Sequence, residues 1–379
     1  EDDPSDSDAS DALRKLYAGS ERHEDMLRLI ERLIAMSDDP DARAELQLES
    51  ARMCIDVLGA PTEGIEHLKA ILGDVPGHEK AVLMLSEMFE KEGRDDELAE
   101  LLERQIEHAR SNEDQPAELG FRVKLAELYE TRLNDPDRAI EGYRAVLETD
   151  AGFRPALEAL ARLYVGQDEK ASAAHAYEKL VIGAEPDDMA RLALKARDLY
   201  ADLDDTESAC RVLETVLSAC SAEGVDLSVE RVEQLREGLR ALYRQREAWE
   251  LLADLIVVEA DESDSDDEKV VKFRKAADIF AQKRDDHGRA AELLERALAL
   301  KSDDQDLMLA LCDEYTASGR GQDAIKVLNQ LVESYGGRRS KELGDIHHRI
   351  ASAHLADGDM AEALAQLESA RKMDPGSIV

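Results

Sequence analysis

The densest set of groups that could hold a metal lies toward the end of the 379-residue chain, where His347, His348 and His354 are followed by Asp357 and Asp359. His347 and His354 are seven apart, two helical turns on one face, and could share a metal with a carboxylate. A second cluster, Asp261 to Glu268, has the carboxylate density of a calcium loop. It lacks the glycine that permits the sharp turn, and its length is wrong, so it reads as a solvated acidic linker. Cys54, Cys210, Cys220 and Cys312 form no C-x-x-C pair and have no neighbouring His at ligand spacing, which predicts free, buried thiols. Joining Cys210 to Cys220 would fold one helix back on itself, since a helix rises about 1.5 Å per residue. No phosphate-cradling Gly-rich loop, G-x-S-x-G elbow or H-E-x-x-H is present. No catalytic, cofactor-binding or metal residues are assigned, no cofactor is expected, and the chain is not read as an enzyme.

The elements that would position any site are helices throughout. Hydrophobic residues make up 43% of the chain and aromatics only 4%, so side chains that favour helices, Ala, Leu, Glu and Arg, supply the packing. Eight of the nine prolines (Pro40, Pro61, Pro76, Pro116, Pro136, Pro155, Pro186, Pro375) fall at segment boundaries, where the missing N–H and fixed φ do least harm. Net charge is −38, a field that repels nucleic acid and anionic membranes and favours basic partners. Its scatter through nearly every loop also suits a simple solubility trait. The excess of Arg over Lys carries no functional weight at this level. No apolar run reaches a membrane span and the first residues have no export-signal pattern, so a cytoplasmic location without membrane insertion is expected.

One pattern recurs: an aromatic near the end of an amphipathic segment, a small residue about nine positions later, then a large apolar residue four further on. The clearest copy has Leu160, Ala161 and Tyr164 on one helix, Gly166-Gln167-Asp168 as the turn, and Ala173, Tyr177 and Leu180 on the next. Ten candidate units follow, with the small position at Met26, Gly64, Leu98, Ala139, Ala173, Ala209, Leu252, Ala290, Ala324 and Ala363. The mean spacing, about 37 residues, is close to the 34 of the tetratricopeptide repeat. A small residue on the second helix lets the first approach closely, and the aromatic fills the groove beside it. His354 takes the aromatic position of its unit, which places it in the core rather than on a metal.

On these residues the chain resembles the tetratricopeptide repeat (TPR) family, as a degenerate array similar to long bacterial ones. The family's Leu, Tyr, Ala and large-apolar positions recur over most of the length. The early Trp is absent, and the closing Pro is in register only at Pro76 and Pro375, with Pro186 one residue late. The resemblance implies an all-α, right-handed α-solenoid of helix-turn-helix repeats over 11–379. An acidic disordered tail is expected over 1–10, and loops or joints at 260–269 and 334–341. It implies a protein–protein interaction scaffold without catalysis, binding peptide or helical segments in a concave, partly acidic groove lined by first helices. Lys124, Glu127, Glu130, Glu158, Arg162, Lys195 and Asp198 would face that groove, and their mixed signs favour a basic or amphipathic partner over a C-terminal carboxylate. Two other readings stay open: a recruiting or regulatory segment of a larger multidomain protein, and a self-assembling array joined through an uncapped terminal repeat. Trp249, the single tryptophan, is expected to pack at the start of a second helix, with a surface anchor as the alternative.

Overall fold

A computed structural model describes residues 7–222, 226–335 and 340–373. The Gly336-Gly337 joint expected within 334–341 lies outside the described residues. The chain divides into two units, 1–183 and 184–379, each a solenoid stack of antiparallel helix pairs. Unit 1 contains α1 (Ser7–Gly19), α2 (His23–Met36), α3 (Pro40–Arg52), α4 (Pro61–Asp74), α5 (Glu79–Glu92), α6 (Asp95–Ser111), α7 (Gln115–Thr131), α8 (Pro136–Thr149), α9 (Arg154–Gly166) and α10 (Lys170–Val181). A π-helical segment, Met53–Leu58, extends α3. Unit 2 contains α11 (Pro186–Asp202), α12 (Thr206–Ala222), α13 (Val229–Gln245), α14 (Trp249–Asp261), α15 (Asp266–Arg284), α16 (His287–Leu300), α17 (Gln305–Ala317), α18 (Gly321–Ser334), α19 (Lys341–Ala356) and α20 (Met360–Met373). Odd-numbered helices are the first of each pair and even-numbered helices the second. Helix α1 begins inside the stretch expected as a tail.

Local chemistry sets the helix ends. Pro40, Pro61, Pro116, Pro136, Pro155 and Pro186 all sit in a first turn, where no N–H is needed. Asp114, Asp135, Asp286, Asp304 and Ser340 accept a hydrogen bond from a backbone N–H three residues on, satisfying donors the first turn leaves open.

Each of the ten pairs turns through one residue in the left-handed region. Glu21, Gly59, Gly93, Asn134, Asp168, Asp204, Glu247, Asp285, Gly319 and Gly358 have φ between 51° and 82°. Every one lies five positions before the small residue of its unit, so backbone conformation marks the same ten repeats as the side-chain pattern. Ala139, Ala173, Ala209, Ala290 and Ala324 are fully buried, and Phe89, Tyr129, Tyr200, Tyr243, Phe280 and Tyr315 pack in the core. Closeness is required there: a Cβ at Gly64 would come 2.6 Å from Cγ1 of Ile55.

Polar contacts repeat in register too. Tyr129, Tyr243 and Tyr315 donate to Glu103, Glu214 and Glu295 on the preceding second helix, at 3.1, 2.7 and 2.7 Å. Each Glu lies five after its unit's small position. Burial first, and then these carboxylates, raise the pKa of all three phenols above its ordinary value. Guanidinium groups cover the aromatics: Arg94 lies 5.1 Å from the Phe89 centroid, Arg289 4.2 Å from Phe280 and Arg320 4.3 Å from Tyr315. The Arg excess therefore has a structural use, since a planar guanidinium stacks and bridges carboxylates at once. The acidic stretch from Asp261 is stitched rather than loose. Asp261 pairs with Arg296, Glu262 with Arg236, and Asp267 with Lys301 at 2.5 Å, leaving only 262–265 between α14 and α15.

Candidate partner-binding groove

In unit 1 the first helices α5 and α7 stand on either side of α6 and enclose a cavity of about 600 Å³. Buried Val82, Leu98, Leu102, Ala109 and Leu128 form its floor and lower walls. Phe121 is half-buried and Leu83 is 58% exposed, so the opening itself is apolar. Gln105 is buried in the floor and donates to the Pro76 carbonyl at 3.0 Å, which ties the turn before α5 to α6.

The rim is acidic. Glu79 and Asp114 stand at one end, Glu90 and Glu127 toward the other. Arg132 also lines the cavity, but its Nε lies 3.0 Å from Asp95 and its Nη2 donates to the Glu90 carbonyl at 3.0 Å. Lys124 is exposed at the mouth, and no described carboxylate forms an ion pair with it. His108 and Asn112 approach each other at 3.0 Å beside Asp114. A Cβ at Gly77 would come 2.4 Å from the His108 ring, so the glycine makes room for the imidazole.

Of the residues expected to face a groove, Lys124 and Glu127 line this one. Glu130 is held instead. It accepts from Arg162 at 3.0 and 2.6 Å and from the Tyr143 hydroxyl at 2.9 Å, joining α7, α8 and α9. Burial and Glu130 push the Tyr143 phenol well above its ordinary pKa. Glu158 pairs with Arg154 at 3.0 Å one turn away. Lys195 and Asp198 are exposed on α11 in unit 2, where Asp198 pairs with Arg197 at 2.7 Å. Glu79, Leu83, Glu90 and Phe121 were not singled out from sequence. Leu83, an apolar residue at an outward position of a first helix, is the one sequence signal that could have marked the site.

Unit 2 has a cavity of about 550 Å³ between first helices α17 and α19, lined by polar groups including Asp313, Asp345, His348 and Arg349, with Arg349 paired to Asp313. His347 bonds Gln366 at 2.8 Å, and the half-buried His354 lies 3.9 Å from Asp359. No cluster of three or more metal-ligating side chains occurs among the described residues. Among them too, no helix is long and apolar enough to cross a membrane.

The tetratricopeptide repeat family's sequence profiles match residues 81–116, which cover α5 and α6, and residues 281–343, which cover α16 to α18. The chain carries tetratricopeptide repeats. Such arrays are protein-interaction scaffolds. No curated protein sequence matches the chain. Similar solved structures include nearly identical TPR-like repeats from Podosopora anserina, at 20% identity over 51% of this chain and 97% of that one, with a TM-score of 0.32. A tetratricopeptide repeat protein from Parabacteroides merdae shares 17% identity over 71% of this chain and 97% of the other, TM-score 0.30. The Naa15/Naa10 complex bound to HypK-THB matches at 18% identity over 93% of this chain and 56% of the other, TM-score 0.37.

Proposed function

We propose that this tetratricopeptide array is a non-catalytic scaffold whose α5–α7 groove holds a short segment of a partner protein, an apolar anchor flanked by Lys or Arg. The observation that carries the reading is the pairing of an open apolar floor with a rim of four carboxylates, Glu79, Glu90, Asp114 and Glu127, against the single unpaired cation Lys124. An apolar side chain seated beside Leu83 and Phe121 supplies contact area, and the rim sets charge preference and encounter rate. The net charge of −38 acts in the same direction at longer range.

The test is fluorescence anisotropy with a labelled peptide carrying Leu or Phe between basic residues. The double substitution Glu90→Gln/Glu127→Gln is expected to weaken binding about three- to tenfold, since exposed ion pairs contribute about 0.2–1 kcal/mol each. Leu83→Glu is expected to weaken it further, and added salt to narrow the difference between wild type and the double variant. Equal affinity for a basic peptide and its acidic counterpart would reject the proposal.

A further inference from the structure

The second helix α14 departs from the repeat on its outer edge. At the position just before the small residue, the other nine second helices carry Asp, Glu, Arg or Ser, and α14 carries Leu251. At six after the small residue they carry Arg, Lys, Gln, Thr, Ser or Ala, and α14 carries Val258. Leu251 is 47% exposed and Val258 46%, with half-buried Leu255 between them. Spacings of four and three residues align these three as one stripe along about two turns. Single exposed apolar residues are ordinary on protein surfaces. Here two register positions that are otherwise polar or small have both become apolar on one edge of one helix.

The fully buried residues of α14 are Leu252, Ala253, Ile256, Glu259 and Ala260, so the three lie along the edge of its packed face rather than within it. From α14 onward the acidic groups beside the stripe are already answered, Glu259 by Arg240 at 2.6 Å and Glu262 by Arg236, whereas Glu247 in the preceding turn has no ion pair among the described residues. Glu250 pairs with Arg284 at 3.1 Å and Arg289 at 3.2 Å, Asp254 with Arg289 at 2.7 Å, and Asp261 with Arg296. A locally neutral apolar strip thus lies on a strongly acidic molecule.

We infer that the Leu251–Leu255–Val258 edge is a second docking surface, and that its occupant is an amphipathic helix of a partner protein presenting an uncharged apolar stripe. The i, i+4, i+7 ridge matches the groove of such a helix, as ridges-into-grooves packing requires. The neutralised flanks match a partner face without charge. A second copy of this chain fits poorly, since it would bring another −38 charges to a narrow strip. The surface is independent of the α5–α7 groove and binds by apolar contact rather than by charge.

The test is a dansyl-labelled helical peptide with Leu at i, i+4 and i+7 and Gln and Ala elsewhere. Trp249 is the only tryptophan and opens α14, so energy transfer from it to the label reports binding at this helix. The comparison is Leu251→Ser/Val258→Thr, which installs the residues α12 carries in the same register, Ser208 and Thr215, and so keeps the helix foldable. Wild type is expected to bind with energy transfer and little salt dependence, and the double variant at least tenfold more weakly with unchanged helicity. Equal binding by both proteins, binding without transfer, or no binding to wild type would overturn the assignment. So would dimerisation of wild type abolished in the variant, which would make the occupant a second copy.

Discussion

Glu130 offers a sharp separation between a groove residue and a structural one. Its carboxylate is only 14% exposed and takes two hydrogen bonds from Arg162 and one from Tyr143. Glu130→Ala removes a charge-assisted pair, worth about 1.5–3 kcal/mol when well formed, of which partial exposure of Arg162 leaves about half. It also strands the Tyr143 hydroxyl, whose residue is 3% exposed, at a cost of about 1–3 kcal/mol. The sum is about 2–4 kcal/mol lost from the α7–α8–α9 packing. Glu127→Ala, three residues earlier on the open rim, should lose less than about 0.5 kcal/mol. Urea unfolding followed by circular dichroism, together with amide exchange over α7 to α9, measures both. If the two variants lose equal stability, or Glu130→Ala loses none, the idea that Glu130 is a packing hub is wrong.

Other consequences are open to test. Glu247 holds a left-handed conformation, φ 52°, where glycine stands in four equivalent turns; Glu247→Gly should raise stability by about 1 kcal/mol in thermal unfolding, and a loss would argue against strain at the turn. Ala290 is fully buried against its partner helix, so Ala290→Leu should destabilise unit 2 by about 1–3 kcal/mol through overpacking, measured by urea midpoint. His287 gains a hydrogen bond from its ring to Glu314 at 2.7 Å and a weaker one to Asp285, which raise its pKa. A raised folded pKa means the contribution is complete below the unfolded value near 6.5 and is lost as pH rises through the folded value. Unit 2 should therefore weaken as pH rises from 6 toward 8, and His287→Gln should remove that slope in unfolding titrations.

The repeat count was legible because the small position and the aromatic are set by close helix approach, which few residue types satisfy. The left-handed turn five residues earlier was not legible. Glycine occupies it in only four units, while Glu, Asp or Asn fill the rest and look like ordinary surface residues. Lys124 and Glu127 line the α5–α7 cavity because both are exposed on a first helix, which the repeat pattern makes readable. Glu130 and Arg162 looked equivalent to them, since a partner 32 residues away across the repeat interface leaves no local trace. The Arg excess looked compositional for the same reason, as its stacking partners lie in the turn before or on the neighbouring helix. The ion pairs of Asp261 and Glu262 left no trace in the acidic stretch itself because their cations come from α16 and α13.

The most direct measurement of the central claim is where a bound partner segment lies. A basic, apolar-anchored peptide bearing a photoreactive phenylalanine in place of its anchor should cross-link between residues 79 and 132, on α5, α6 or α7, when adducts are mapped by mass spectrometry. Adducts confined to other helices, or spread evenly over both units, would contradict the assignment of the α5–α7 groove as the binding site.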